Sequence, residues 1–104
     1  MSFSVKDKSI LLQILQEHKS KILSFGVLRI GLFGSFVRNE ATELSDVDFI
    51  VEFKKGEKSF DNYIDLAYYL QEILGRKIEL LTPQSLSPYI GPKIMKEVEY
   101  VIAA

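Results

Sequence analysis

The chain has 104 residues, with 13 Lys plus Arg against 14 Asp plus Glu and a formal net charge of -1. A chain of this length supports one hydrophobic core and no second one, and the near-even charge balance excludes a protein that holds nucleic acid by bulk phosphate neutralisation. With 47% hydrophobic and 26% charged residues it has the composition of a folded globule, and the absence of cysteine excludes a disulfide scaffold, a zinc–thiolate site and a thiol nucleophile. No apolar run approaches the ~18 residues of a membrane span. The first residues lack the charged head and apolar middle of a secretory signal. A single cytoplasmic domain over residues 1–104, with no membrane partner, is the expectation.

From Val5 to Leu23, Leu11, Leu12, Leu15, Ile22 and Leu23 recur at helical spacing, which predicts a first helix, interrupted near His18 and stopped at Phe25-Gly26. Val27 to Phe33 is a short apolar run between Gly26 and Gly34 and reads as a buried strand, after which Gly34-Ser35 begins a short helical turn. Asp46 to Phe53 alternates with period two: Val47, Phe49, Val51 and Phe53 point one way, and Asp46, Asp48, Ile50 and Glu52 the other. Beyond the polar connection Lys54 to Glu57, the stripe Tyr63, Leu66, Ala67, Leu70, Ile73 and Leu74 predicts the strongest helix of the chain, ending at Gly75. Lys77 to Leu81 reads as a third strand. From Pro83 onward, Pro88 and Gly91-Pro92 punctuate short helical pieces. The order α, β, α, β, α, β, α predicts a small α/β or α+β sheet flanked by helices, with a parallel crossover between strands two and three or a mixed sheet both open.

Three features fall at the ends of these elements: Gly34-Ser35 after strand one, Asp46-Val47-Asp48 opening strand two, and Glu79 within strand three. Alternation along a strand puts Asp46 and Asp48 on one face, where two ionised carboxylates ~4 Å apart repel by ~1 to 4 kcal/mol between the dielectric of water and that of a protein surface. A divalent cation removes that penalty. Oxygen ligands without neighbouring His or Cys suit Mg²⁺ or Mn²⁺, which take their remaining ligands from water and phosphate. Glu79 could join the pair, and it faces them if Ile78 and Leu80 face the helices. Glycine lets backbone approach an oxyanion, and a serine at a helix start presents its hydroxyl beside unpaired N–H groups, so Gly34 and Ser35 suit a triphosphate cradle. Arg38 lies over the same turn, able to neutralise phosphate or to tie the loop to an acid.

Taken singly these features have plain structural explanations: a turn and cap, a solvated strand edge, an exposed strand residue. Together they are less ordinary, since Gly-Ser followed by Asp-x-Asp at one fixed spacing arises by chance in roughly one in a thousand chains of this length. His18, the single histidine, lies away from the three motifs and reads as structural. Phe60, Tyr63, Tyr68 and Tyr69 read as core packing rather than base stacking, while Ile64 and Tyr68 flank the main stripe and could extend the core or face a partner. Lys6-Asp7-Lys8 and Lys54-Lys55 read as solvated charge.

The segments Leu32-Phe33-Gly34-Ser35-Phe36-Val37-Arg38 and Ser45-Asp46-Val47-Asp48-Phe49-Ile50-Val51 resemble the G-S-x10-D-x-D signature of minimal nucleotidyltransferases of the DNA polymerase β superfamily, and the ten intervening residues, Phe36 to Ser45, match in count. Lys77 to Pro83 resembles the strand bearing that family's third carboxylate, commonly Asp, here the longer Glu79. The resemblance implies a mixed, highly twisted sheet flanked by helices. It implies Asp46 and Asp48 as metal ligands, Gly34 and Ser35 on the β- and γ-phosphates, and Glu79 activating the attacking hydroxyl, with Glu79 also a candidate ligand. It further implies Mg²⁺-dependent transfer of AMP from ATP to a tyrosine of a HEPN-domain toxin, for which the chain would act as antitoxin. A catalytically silent module that neutralises a partner by contact and a nucleotide-binding sensor are the alternatives; intact acids argue against the first.

Overall fold

The computed structural model describes residues 3–104. Asp7 caps the first helix, α1 (Lys8–Glu17), by accepting a hydrogen bond from the Ile10 amide, and after a break at His18 the chain continues as α2 (Lys19–Leu23). The break falls where the apolar stripe skips a turn, His18 and Lys19 standing three and four residues after Leu15. His18 hydrogen-bonds there to the hydroxyl of Tyr69, which confirms a structural role for it.

Strand β1 (Val27–Phe33) is followed by a tight loop, β2 (Val47–Phe53), the long helix α3 (Phe60–Leu74) and β3 (Ile78–Leu81). Ser59 caps α3 through the Asn62 amide, and Gly75 ends it at φ 63. That glycine is required twice over, because a Cβ there would also lie 1.5 Å from the Phe3 carbonyl oxygen. A 3-10 turn (Pro83–Ser85), α4 (Gly91–Glu97) and a last strand, β4 (Glu99–Ala103), complete the chain. The sheet is mixed, in the order β3-β2-β1-β4, with β2 and β3 parallel and the other two pairings antiparallel.

Two expectations are corrected. The segment after Pro83 holds a strand as well as helical pieces: Glu99–Ala103 pairs with β1, and its Ile102 enters the core beside Ile30. Five residues are too few for alternation to declare itself, and their pairing partner is some seventy positions earlier, so only non-local packing makes the strand. The turn begun by Gly34-Ser35 does not become a helix. The Arg38 amide reaches the Gly34 carbonyl at 3.3 Å, but Asn39 at φ 58 ends the turn at once.

One face of the sheet receives α1, α2 and α3 and forms the main core: Leu11, Leu15, Ile22, Ile30, Leu32, Val47, Phe49, Val51, Leu66, Leu70, Leu74 and Leu80 among others. The opposite face carries Gly31, Asp48 and Ile50, and Val98 and Tyr100 pack over Gly31 there. The aromatic residues of α3 divide. Tyr63 and Tyr69 pack against the core, whereas Phe60 and Tyr68 are exposed at 77% and 66%, so core packing is corrected for Phe60, and of the two alternatives open for Tyr68 extension of the core is excluded. Phe60 is the first residue of α3 and precedes the buried stripe. Lys8 is likewise engaged rather than merely solvated, pairing with Glu99 at 2.8 Å and joining α1 to β4. Among the described residues no helix is long and apolar enough to cross a membrane.

Candidate active site

Because β2 and β3 run parallel with Asp48 opposite Glu79, the two side chains leave the sheet on the same face, away from α1, α2 and α3. Leu80 is buried in the main core and Ile78 packs against it, which is the condition under which Glu79 turns toward Asp48. Asp46 immediately precedes β2, one alternation from Asp48. Antiparallel pairing of β1 with β2 sets Phe33 opposite Asp48, so the chain leaves β1 at Gly34 directly beside the carboxylate.

That contact explains the glycine. Gly34 has φ +75, and a Cβ on it would stand 2.1 Å from Asp48 Oδ2. Any side chain there would be strained in backbone and would push the carboxylate away. Half-buried Asp48 titrates at about 6 instead of 3.8: burial raises it first, then the charge of Glu79 and a hydrogen bond with it, then the charge of Asp46, against a smaller lowering by Arg38. Three acids and one arginine therefore share one electrostatic site, and negative charge dominates it.

Arg38 ties the loop to an acid, the second of the two roles open to it. Its Nη1 donates to both oxygens of Glu97, at 2.6 and 3.0 Å, and its Nε to Glu40 Oε1 at 3.1 Å; the Glu97 hydrogen bond raises the guanidinium pKa further above its ordinary value. Glu97 also accepts from the Gly34 amide at 3.3 Å. Ser35 lies between these partners in the same turn, half-buried. Arg76 supports the loop from below: it donates to the carbonyls of Val5, Thr42 and Ser45, the last just before Asp46. Neither Glu97 nor Arg76 was singled out by sequence. The available signal for Arg76 was its place directly after the helix-ending Gly75; Glu97 had none.

Of the six expected site residues, Gly34, Arg38, Asp46, Asp48 and Glu79 thus share one electrostatic neighbourhood, and Ser35 follows Gly34 in the same turn. Among the described residues no three His, Cys, Asp or Glu side chains converge as a ready-made metal cage. The donor set still fits a hard divalent ion of the kind that takes one or two carboxylates and completes its shell with water and phosphate oxygens. A separate, mostly apolar cavity of about 390 Å³ opens beyond β3, lined by Phe60, Tyr63, Leu81 and Thr82 among others, and contains none of the six.

A glycine-serine turn facing strand-borne carboxylates on a mixed sheet defines a nucleotidyltransferase-type site. The nucleotidyltransferase domain family matches residues 9–101, and the chain belongs to it. A relative from Methanocaldococcus jannaschii, named "Putative protein adenylyltransferase MJ1379", is 43% identical over 101 residues, covering 93% of this chain and 100% of the relative. The protein adenylyltransferase MntA of Thermococcus cleftensis is 43% identical over 89 residues, 85% of this chain and 89% of its own. In fold, the chain is similar to the structure of a tri-AMPylated Shewanella oneidensis HEPN toxin in complex with its MNT antitoxin, with a TM-score of 0.64, 15% identity and coverage of 93% of this chain and 73% of that one.

Proposed function

We propose that this chain is a cytoplasmic, single-domain, Mg²⁺-dependent protein adenylyltransferase that moves AMP from ATP to a tyrosine hydroxyl of a HEPN-domain toxin and thereby acts as its antitoxin. The observation that carries the reading is Asp48, held in the electrostatic field of Glu79 and Asp46, beside a glycine on which any Cβ would strike its carboxylate. Relatives named as protein adenylyltransferases, one of them 43% identical over its 89 aligned residues, support the reaction class. The HEPN complex of similar fold supports the partner class.

In this reading Asp46 and Asp48 hold the metal, with Mn²⁺ as a substitute for Mg²⁺. Bound there, it would supply positive charge against the triphosphate oxygens and against the oxygens that enter and leave in an in-line displacement. Gly34 offers its amide, and Ser35 its hydroxyl, to the β- and γ-phosphates. Arg38 adds a guanidinium to the same anion. Glu79 accepts the proton of the attacking hydroxyl, and its carboxylate lies close enough to Asp48 to contribute to the metal site as well. The acceptor oxygen then bonds to the α-phosphorus and pyrophosphate leaves.

Incubation of the chain with α-labelled ATP, Mg²⁺ and a HEPN-domain partner tests the proposal. Label on the partner, lost when the acceptor tyrosine becomes Phe, is the expected result. A stable complex without label would show neutralisation by contact alone, and ATP binding without transfer would show a sensor; either overturns the enzymatic reading.

A further inference from the structure

Glu97 occupies an unusual place for an acid. It is the last residue of α4, where the helix dipole disfavours negative charge, and it reaches the same Gly34 turn that packs beside the Asp48 carboxylate. What keeps it there is the loop after β1: both its oxygens accept from Arg38, and one also accepts from the Gly34 amide. The Gly34 N–H, joined by one guanidinium nitrogen that bridges two oxygens, is a donor set suited to an oxyanion with two or more acceptor oxygens. A carboxylate and a terminal phosphate both present such a pair of oxygens.

We propose that the Glu97 carboxylate is an internal stand-in for a terminal phosphate, seated in the anion cradle of Gly34 and Arg38, and that a nucleoside triphosphate must displace it to bind. The inference rests on the nucleotidyltransferase reading of the site and adds a residue that sets triphosphate affinity. Two features make the exchange physically sensible. Leaving Glu97 in place while a triphosphate arrives would crowd two anions onto one set of donors, so the two occupancies exclude each other. Glu97 can also leave without unmaking the core: its side chain is 29% exposed and Arg38's is 49%, so both groups can be solvated once parted. Displacement therefore opposes binding by the strength of one charge-assisted contact. A ligand lacking the outer phosphates has no reason to compete with it.

The test is calorimetric binding of a nonhydrolysable ATP analogue with Mg²⁺, of inorganic tripolyphosphate, and of AMP to the unmodified chain, Glu97→Gln and Glu97→Ala. The expected result is about tenfold tighter binding of the first two ligands by both variants, the worth of one released charge-assisted contact, with AMP affinity unchanged. Equal or weaker triphosphate binding by folded variants overturns the proposal. The unmodified chain gives a second measurement that depends on no variant. The Glu97 side-chain carboxylate signal, followed by carbon NMR, moves to its solvated position as tripolyphosphate saturates the site, and a signal that stays put overturns the proposal equally. If the unmodified chain transfers AMP but the variants bind no tighter, Glu97 alone has been misread. If no form binds any triphosphate, the nucleotide reading of the site falls and this inference with it.

Discussion

The guanidinium of Arg76 lies 5.0 Å from the centre of the Phe36 ring. Phe36 is 1% exposed and follows Ser35 directly, while the Arg76 nitrogens hold the Ser45 carbonyl just before Asp46. One side chain thus fixes the phosphate-side turn and the entry to the carboxylate strand relative to each other.

Arg76→Ala leaves three loop and terminal carbonyls without their donor. The expected loss is about 2 kcal/mol at ~1 kcal/mol net per part-buried group, or a Tm lower by about 8 to 16 °C for a domain of this size. AMP transfer, read at a temperature where the variant is still folded, falls as well because Asp46 is no longer registered. Arg76→Lys, which cannot span three acceptors, recovers only part of either. Urea denaturation combined with the transfer assay checks both, and unchanged stability would remove Arg76 from this role.

Asp46→Asn and Asp48→Asn each abolish AMP transfer while the protein stays folded, since each removes a charge from the metal position at nearly constant volume. Asp48→Asn carries a further signature in metal-free protein. The folded pKa of Asp48 is raised from 3.8 to about 6, so the stability tied to its protonated form is complete below about pH 4 and is lost as pH rises through 6. The variant does not suffer that loss. It should exceed the parent in stability by about 1 kcal/mol above pH 6, after discounting for solvent screening, with the difference vanishing below pH 4. Thermal melts across that range measure it.

Ser35→Ala should weaken Mg-ATP binding about tenfold or more through loss of a hydrogen bond to a charged phosphate. Ser59→Ala is the useful contrast. Ser59 caps α3, so its loss lowers the unliganded Tm, by about 1 kcal/mol of stability, yet leaves the ATP-induced rise in Tm unchanged. Thermal shift at a series of ATP concentrations separates the two, and equal ATP responses would count against the cradle.

Glu79→Gln should reduce transfer by ~100 to 10,000-fold if the carboxylate is the general base, with Mg-ATP binding retained. A parallel drop in ATP affinity would assign it to the metal instead. Glu79→Asp tests reach: the strand places the shorter carboxylate farther from Asp48, and partial activity is expected. Single-turnover transfer alongside ATP titration gives both quantities, and near-normal turnover by Glu79→Gln would make the third carboxylate dispensable.

The acid site was legible because its logic is local. Alternation around Val47 and Phe49 put Asp46 and Asp48 on the polar face, and the apolar Ile78 and Leu80 forced Glu79 toward them. The break at His18 and the stop at Gly75 were equally local. Arg76 escaped notice because its hydrogen-bond partners are backbone carbonyls, which leave no mark on residue type. Glu97 escaped because its partners, Gly34 and Arg38, are about sixty positions away and only the tertiary fold brings them together. Glu99–Ala103 was missed for the same reason, since its strand character comes from β1.

Strand β1 has a consequence for the order of assembly. It is bonded on one side to β2, which follows within twenty residues, and on the other to β4, made of residues 99–103. A chain synthesised from its N-terminus can form the helical core and the β1–β2 hairpin while still incomplete. The open flank of β1, which ends in the Gly34 turn, stays bare until the final strand is made. Glu97 arrives in the same stretch, so in the nascent protein the Gly34 amide and Arg38 stay without their carboxylate partner until α4 is made.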